Sequence, residues 1–246
     1  MKAPLIFGQG RADASMTAIN VIRHSDAVHL LTDGIVCNSE GVICEIGPNA
    51  FALPNIPAAL AIRGPTHFMP FLVHRLSREC QSFDDLLKRV VSVALEVHMS
   101  VPMTLGYGEV RPDFDLVVAG WSEERRRPES FIMTNQEETE QFAMANNVWQ
   151  LIALPDVLIA PTVGVAQIQA VGWRVPETAE AFQPSIDGAK LVSAQRLSKG
   201  LRPPVRNRDV ASVGGFVQLT TVHSRGVSST ILHRWPDRMG QRIGNT

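Results

Sequence analysis

Apolar and β-branched residues in the first quarter of the chain fall into short runs that are separated by turn residues. These runs lie at 18–24 (AINVIRH), 28–36 (VHLLTDGIV), 42–47 (VICEIG) and 51–64 (FALPNIPAALAIRG). Runs of this length and composition between turn residues are typical of β-strands. Short connections between consecutive strands favour antiparallel pairing. The pattern therefore predicts an antiparallel meander of about four strands.

The period of the apolar positions then changes, and two helices are predicted. The first covers 66–80 (THFMPFLVHRLSREC), with Thr66 as its N-cap. The second covers 82–99 (SFDDLLKRVVSVALEVHM), where Ser82 followed by Asp85 resembles a capping box. Apolar residues cover a wide arc of this second helix, so we expect it to be buried on most sides.

The rest of the chain again alternates between strand and helix patterns. Strands are predicted at 114–121, at 130–134 and twice within 212–235, and helices at 137–152 and 185–199. Strand clusters that alternate with helix pairs indicate an α+β fold, in which two antiparallel sheets pack together and helices cover them. Because the chain has no obvious linker, we expect one domain over 17–246 after an N-terminal leader, 1–16.

The composition argues against several classes of function. A formal net charge of −1 gives no overall field that would attract nucleic acid or an anionic membrane. The sequence shows no apolar run of about 18 residues and no signal-peptide pattern, so we expect a cytoplasmic protein or part of an assembled particle. Cys37, Cys44 and Cys80 are too few and too irregularly spaced for a disulfide framework or a metal site, and buried thiols are the simpler interpretation. No cofactor is predicted.

One basic segment is a candidate for binding nucleic acid. Residues 196–208 (RLSKGLRPPVRNR) carry five basic side chains. Binding through them would weaken steeply with salt. No aromatic residue lies between the basic ones, which favours a solvated loop over a nucleic-acid interface.

Four short phrases of the chain are similar to strands of one known fold. They are VHLLTDG at 28–34, NAFALPNIPAALAIRG at 49–64, FDLVVAGW at 114–121 and VGGFVQLTTV at 213–222. In these phrases and in the order of its elements, the chain resembles the proteasome β-subunit-like branch of the N-terminal-nucleophile (Ntn) hydrolases. The resemblance is at the level of the fold. It implies a four-layer αββα sandwich and self-association or assembly with other protein subunits.

The resemblance also implies a catalytic arrangement. In that branch the nucleophile is a Thr, Ser or Cys freed as the N-terminus, an aspartate follows sixteen residues later and a lysine thirty-two residues later. If Asp33 corresponds to the aspartate, the nucleophile position holds Thr17 and the lysine position holds Asn49. No lysine lies between Lys2 and Lys88. Because the lysine charge favours the deprotonated amine and hydroxyl, a neutral amide in its place favours an inactive site.

Each candidate residue also has an interpretation without catalysis. Asp33 precedes Gly34, and Asp-Gly is a common turn pair. Thr17 lies at the start of a predicted strand, where threonine is common. His29 lies four residues before Asp33 on one predicted strand, so the two could form a proton relay, or His29 could be a structural histidine.

Two functions follow from these alternatives. The first is a degenerate, catalytically inactive Ntn-fold subunit with a structural or assembly role, for example in a phage or prophage particle. The second is an active amidohydrolase or peptidase that removes residues 1–16, frees Thr17 as nucleophile and uses Asp33 to orient it. The missing lysine favours the first function. The junction Met16-Thr17 favours it too, because active relatives usually have glycine before the nucleophile.

Overall fold

The computed structural model describes residues 17–38, 41–64, 66–100, 113–136, 148–198 and 212–244. The strands in these ranges are β1 (Ile19–Arg23), β2 (Ala27–Asp33), β3 (Val36–Cys37), β4 (Ile43–Glu45), β5 (Ala50–Leu53), β6 (Ala58–Arg63), β7 (Asp115–Ser122), β8 (Arg127–Thr134), β9 (Ile152–Ala153), β10 (Val157–Ala160), β11 (Phe216–His223) and β12 (Gly226–Arg234). The helices are α1 (Met69–Glu79), α2 (Phe83–Ser100), α3 (Val165–Ala170) and α4 (Pro184–Arg196).

Ten of these strands form two five-stranded sheets with antiparallel pairing throughout. The first sheet has the strand order β10-β1-β2-β11-β12, and the second has the order β5-β6-β7-β8-β9. Strands β3 and β4 form a separate antiparallel pair. The protein is therefore α+β with antiparallel sheets, as the sequence predicts. The described part of the chain starts in the first sheet, forms the second and then returns to the first, so that β2 and β11 become neighbours.

The predicted single meander at the start of the chain is wrong, because the early strands belong to different sheets. The run predicted as one strand over 28–36 ends at Asp33. At Gly34 a Cβ atom would lie 2.4 Å from the ring of Phe216, so a larger residue there would force this ring to move. The chain then forms the β3–β4 pair and enters the second sheet at β5.

Three buried apolar clusters hold these elements together. One cluster contains side chains of both sheets, such as Val21 and Leu30 from the first sheet and Ala61 and Val117 from the second. Another joins α1 and α2 to the second sheet. A third joins the first sheet to α4, whose Leu191 is fully buried. Burial of this apolar area is the main favourable contribution to folding.

Helix α1 starts later than its sequence pattern predicts. A 3₁₀ turn at Thr66–Phe68 precedes it, and its N-cap position is Phe68, which makes no side-chain cap. Thr66 is therefore not the N-cap; its hydroxyl donates a hydrogen bond to Glu45 Oε2 at 3.0 Å.

Helix α2 matches its predicted range, and its N-terminal hydrogen bonds resemble a capping box. The Asp85 N–H donates to Ser82 Oγ at 3.0 Å, while the Asp85 carboxylate accepts from the Gln81 N–H rather than from that of Ser82. The expectation of burial on most sides is wrong. Leu95 is 40% exposed and Met99 is 56% exposed, because only one face of α2 packs on the second sheet.

The prediction of a helix over 137–152 is wrong at its C-terminal end, where Ile152–Ala153 forms strand β9; its part over 137–147 lies outside the described residues. The strands predicted at 114–121, 130–134 and within 212–235 are confirmed.

The three cysteines are free, but only Cys80 is buried, so the expectation of buried thiols fails for the exposed Cys44. No helix in the described ranges is long and apolar enough to cross a membrane.

Candidate functional site

The Asp33 carboxyl lies at the end of β2, is completely buried and is surrounded by N–H groups. Its Oδ1 accepts hydrogen bonds from the Ala18 backbone N–H at 3.0 Å and from Asn49 Nδ2 at 3.2 Å. Its Oδ2 accepts from the Gly214 backbone N–H at 3.0 Å. One side chain thus connects the start of β1, the segment before β5 and the segment before β11.

The residue that follows the predicted nucleophile position contacts this carboxyl. Thr17 is buried and immediately precedes Ala18, whose N–H reaches Asp33. The structure therefore places the backbone that follows Thr17 against the carboxyl of Asp33. Residues 1–16, the predicted leader, lie outside the described residues.

Asn49 also belongs to this group of residues. It is 1% exposed, and its Nδ2 donates to the Asp33 backbone carbonyl at 2.9 Å as well as to the carboxyl. The side chain at the position where the resemblance implies lysine therefore contacts Asp33, but it brings a neutral donor and no charge. Arg63, the next basic residue in the sequence, is in an ion pair with Asp115.

Burial raises the pKa of the Asp33 carboxyl to about 8, although the N–H groups of Gly214, Ala18 and Asn49 act in the opposite direction. A carboxyl with this pKa exchanges its proton near neutral pH. A perturbed carboxyl of this kind is found at catalytic sites and also in structural networks, so by itself it does not identify a reaction.

The Gly214-Gly215 segment lies between two buried carboxyl groups. Gly214 donates to Asp33 and accepts from the Gly34 N–H at 3.0 Å, while the Gly215 N–H donates to Asp237 Oδ2 at 2.7 Å. Gly215 has a φ of 71°, and a Cβ atom there would lie 2.5 Å from the Gly34 carbonyl oxygen. Glycine is therefore required at this position both by backbone conformation and by space.

Asp237 is held by the buried Arg196, the first residue of the basic segment 196–208. Arg196 Nη1 and Nη2 donate to the two carboxylate oxygens of Asp237, each at 2.8 Å. Burial acts to raise the pKa of Asp237, but hydrogen bonds from Arg196 and Gly215 hold it below its ordinary value. Arg196 also lies over the ring of Trp235, with 4.8 Å between the guanidinium carbon and the ring centroid.

This position of Arg196 corrects the interpretation of the basic segment 196–208. Its first basic residue is buried in an ion pair and is not available to a nucleic acid. Residues 199–208, with the other four basic side chains, lie outside the described residues. A buried Arg–Asp pair between residues 41 positions apart could not be found from sequence spacing.

Of the two alternatives for His29, the proton relay with Asp33 is not formed. His29 Nδ1 lies 2.9 Å from Thr221 Oγ1, and its Nε2 lies 3.2 Å from His24 Nδ1. Asp33 is the fourth residue after His29, about 13 Å further along β2. Burial lowers the pKa of His29 to about 4. The nearby His24 also lowers this pKa, whereas the charge of Asp26 acts to raise it. His29 is therefore a neutral, structural histidine at physiological pH.

Among the described residues, no group of three His, Cys, Asp or Glu side chains is placed to hold a metal ion. Comparison of the whole chain with protein-family models and with curated proteins gives no match.

Proposed function

We propose that the protein is a degenerate, catalytically inactive member of the proteasome-like Ntn fold, with a structural or assembly role. The proposed architecture is a four-layer αββα sandwich. The distribution of the buried clusters supports it, because one cluster is shared by the two sheets and one joins helices to each sheet.

The contact between Asn49 and Asp33 is the observation that carries this proposal. An N-terminal threonine needs a nearby positive charge that favours its deprotonated amine and hydroxyl. Asn49 occupies the position implied for that charge, and its amide is committed to the carboxyl and carbonyl of Asp33. A neutral amide can satisfy the buried carboxyl, but it cannot lower the pKa of a neighbouring amine by charge repulsion.

A second candidate function is an active amidohydrolase with Thr17 as nucleophile. The hydrogen bond from the Ala18 N–H to Asp33 favours it, because it fixes the backbone next to Thr17 against a carboxyl that titrates near neutral pH. In this alternative Asp33 orients the nucleophile and the free amine of Thr17 acts as the base.

Labelling with an electrophile separates the two candidates. The purified protein is incubated with a β-lactone that acylates N-terminal threonine, and Thr17→Ala is treated in parallel. An inactive subunit gives no adduct in either protein. An adduct on the wild type that is absent from Thr17→Ala would establish the active alternative.

A further inference from the structure

Strand β12 is the longest edge strand in the described part of the two sheets. It has nine residues, whereas the other edge strands, β5, β9 and β10, have four, two and four. The side chains at Ser228, Ser229, Thr230 and Ile231 are all exposed. A long, exposed edge strand presents backbone N–H and C=O groups that can pair with another strand.

The central part of this strand lacks the usual features that prevent edge pairing. Residues 226–231, named here the β12 edge, contain no charged residue and no proline. Their register against β11 is regular; the irregularity comes only at Leu232, before His233 and Arg234. Natural edge strands are usually interrupted by lysine, proline or a bulge, so a regular uncharged edge is typical of a strand that has a partner.

The sequence of the β12 edge is complementary to itself. If two copies pair antiparallel about Ser229, then Ser228 faces Thr230 and Val227 faces Ile231 of the other copy. No like charges face each other between positions 226 and 232. Facing β-branched residues and facing hydroxyl residues are favourable cross-strand pairs.

Apolar side chains flank the β12 edge on both faces of the first sheet. Ile231 is 37% exposed and lies opposite Gln218, whose amide reaches the carbonyl of Ala50 in the second sheet, so Ile231 faces that side. On the other side α4 packs closely on β12, since a Cβ at Gly188 would lie 3.1 Å from Leu232. Ile186 on the same helix is 55% exposed. Pairing at the edge would bring Ile231, which is on the β12 edge itself, toward the neighbouring molecule.

We propose that the β12 edge pairs antiparallel with the β12 edge of a second copy of this chain, about a two-fold axis at Ser229. The first sheets of the two copies then form one continuous sheet. An isologous interface of this kind places the same residues on both sides. The proposal rests on the assembly role proposed above, which it makes specific, and does not depend on whether Thr17 is active.

Two double variants with matched changes test this pairing. Ser228→Lys with Thr230→Lys places like charges opposite each other twice, whereas Ser228→Lys with Thr230→Glu places opposite charges at the same two contacts. Sedimentation equilibrium of the full chain at low salt measures association. We expect the wild type and the Lys/Glu variant to form dimers or multiples of dimers, and the dissociation constant of the Lys/Lys variant to rise by at least about tenfold. Equal thermal melting of the two variants shows that both are folded.

The possible failures of this proposal are distinguishable. If the wild type associates and the two variants associate equally well, the β12 pairing is wrong while the assembly role stands. A wild type that stays monomeric overturns the pairing and leaves assembly with other protein subunits as the form of the proposed role. A monomer in which the amides of 226–231 are nevertheless protected from hydrogen exchange would mean that the same chain covers the edge, and this also overturns the pairing.

Discussion

At the scale of single residues, the Asp33 carboxyl determines how three distant segments meet. It is fully buried and receives N–H groups from Ala18, Asn49 and Gly214. The carboxyl satisfies each of these donors, so removing the carboxyl would leave the buried N–H groups of Ala18 and Gly214 without this partner. The same arrangement would serve a catalytic aspartate or a purely structural one. The neutral partner at position 49 favours the structural role.

Asn49→Ala is expected to destabilise the protein by about 1–3 kcal/mol, because it removes two buried hydrogen bonds to Asp33. Asn55→Ala is the matched control, since the exposed Asn55 donates a single hydrogen bond to the Ser77 carbonyl. Urea unfolding of both variants measures the difference. A loss at Asn49 no larger than the loss at Asn55 would show that the Asp33–Asn49 contact contributes little.

The raised pKa of Asp33 predicts a specific dependence of stability on pH. Between about pH 4 and pH 8 the folded state keeps a proton that the unfolded state has released, so stability falls as pH rises through this window. Asp33→Asn cannot titrate there. The free energy of unfolding of the wild type, minus that of Asp33→Asn, should therefore fall by at least about 1 kcal/mol from pH 5 to pH 8. Parallel profiles from urea unfolding would contradict the buried, protonated carboxyl.

At the scale of elements, the segment before β11 positions the Gly214 N–H for Asp33. Gly215 adopts a left-handed conformation there and passes close to the Gly34 carbonyl. The sequence predicts both arms of the closing hairpin, because their alternation and their turn are local signals. It does not predict that the hairpin joins β2, since that neighbour lies about two hundred residues earlier in the chain.

Gly215→Ala is expected to cost at least about 1–2 kcal/mol more than Gly172→Ala. Both glycines are in the left-handed region, with φ of 71° and 59°. A Cβ at Gly172 would meet nothing within 4 Å, whereas one at Gly215 would lie 2.5 Å from a backbone oxygen. Thermal unfolding of the two variants isolates the steric contribution. Equal losses would mean that the segment can shift away from Gly34.

At the scale of the whole molecule, the buried Arg196–Asp237 pair joins α4, the segment before β11 and the C-terminal part of the described chain. Arg196 also donates to the carbonyls of Val213 and Gly244. The sequence indicates the α+β class, and the family resemblance draws attention to Asp33 and Asn49, which are in contact. It misses this pair, because nothing local marks Arg196 as different from the basic residues that follow it.

Arg196→Met is expected to destabilise the protein by about 3–5 kcal/mol, because Asp237 would remain buried without its cation. Arg89→Met is the control; Arg89 is exposed and pairs with Asp85 one helical turn away, a contact worth about 0.5 kcal/mol or less. Chemical unfolding compares the two. A similar small loss in both variants would show that the buried pair is not a principal contact of the fold.

We infer that the buried Asp33 carboxyl and its N–H donors have a structural role, and that Thr17 is not freed as an N-terminal nucleophile. The intact mass of the purified, untagged protein tests it most directly. We expect the mass of the full 246-residue chain, allowing for loss of Met1, and an equally unprocessed chain for Thr17→Ala. A mass short by residues 1–16 in the wild type, restored to full length in Thr17→Ala, would contradict the claim and identify Thr17 as a self-processed nucleophile.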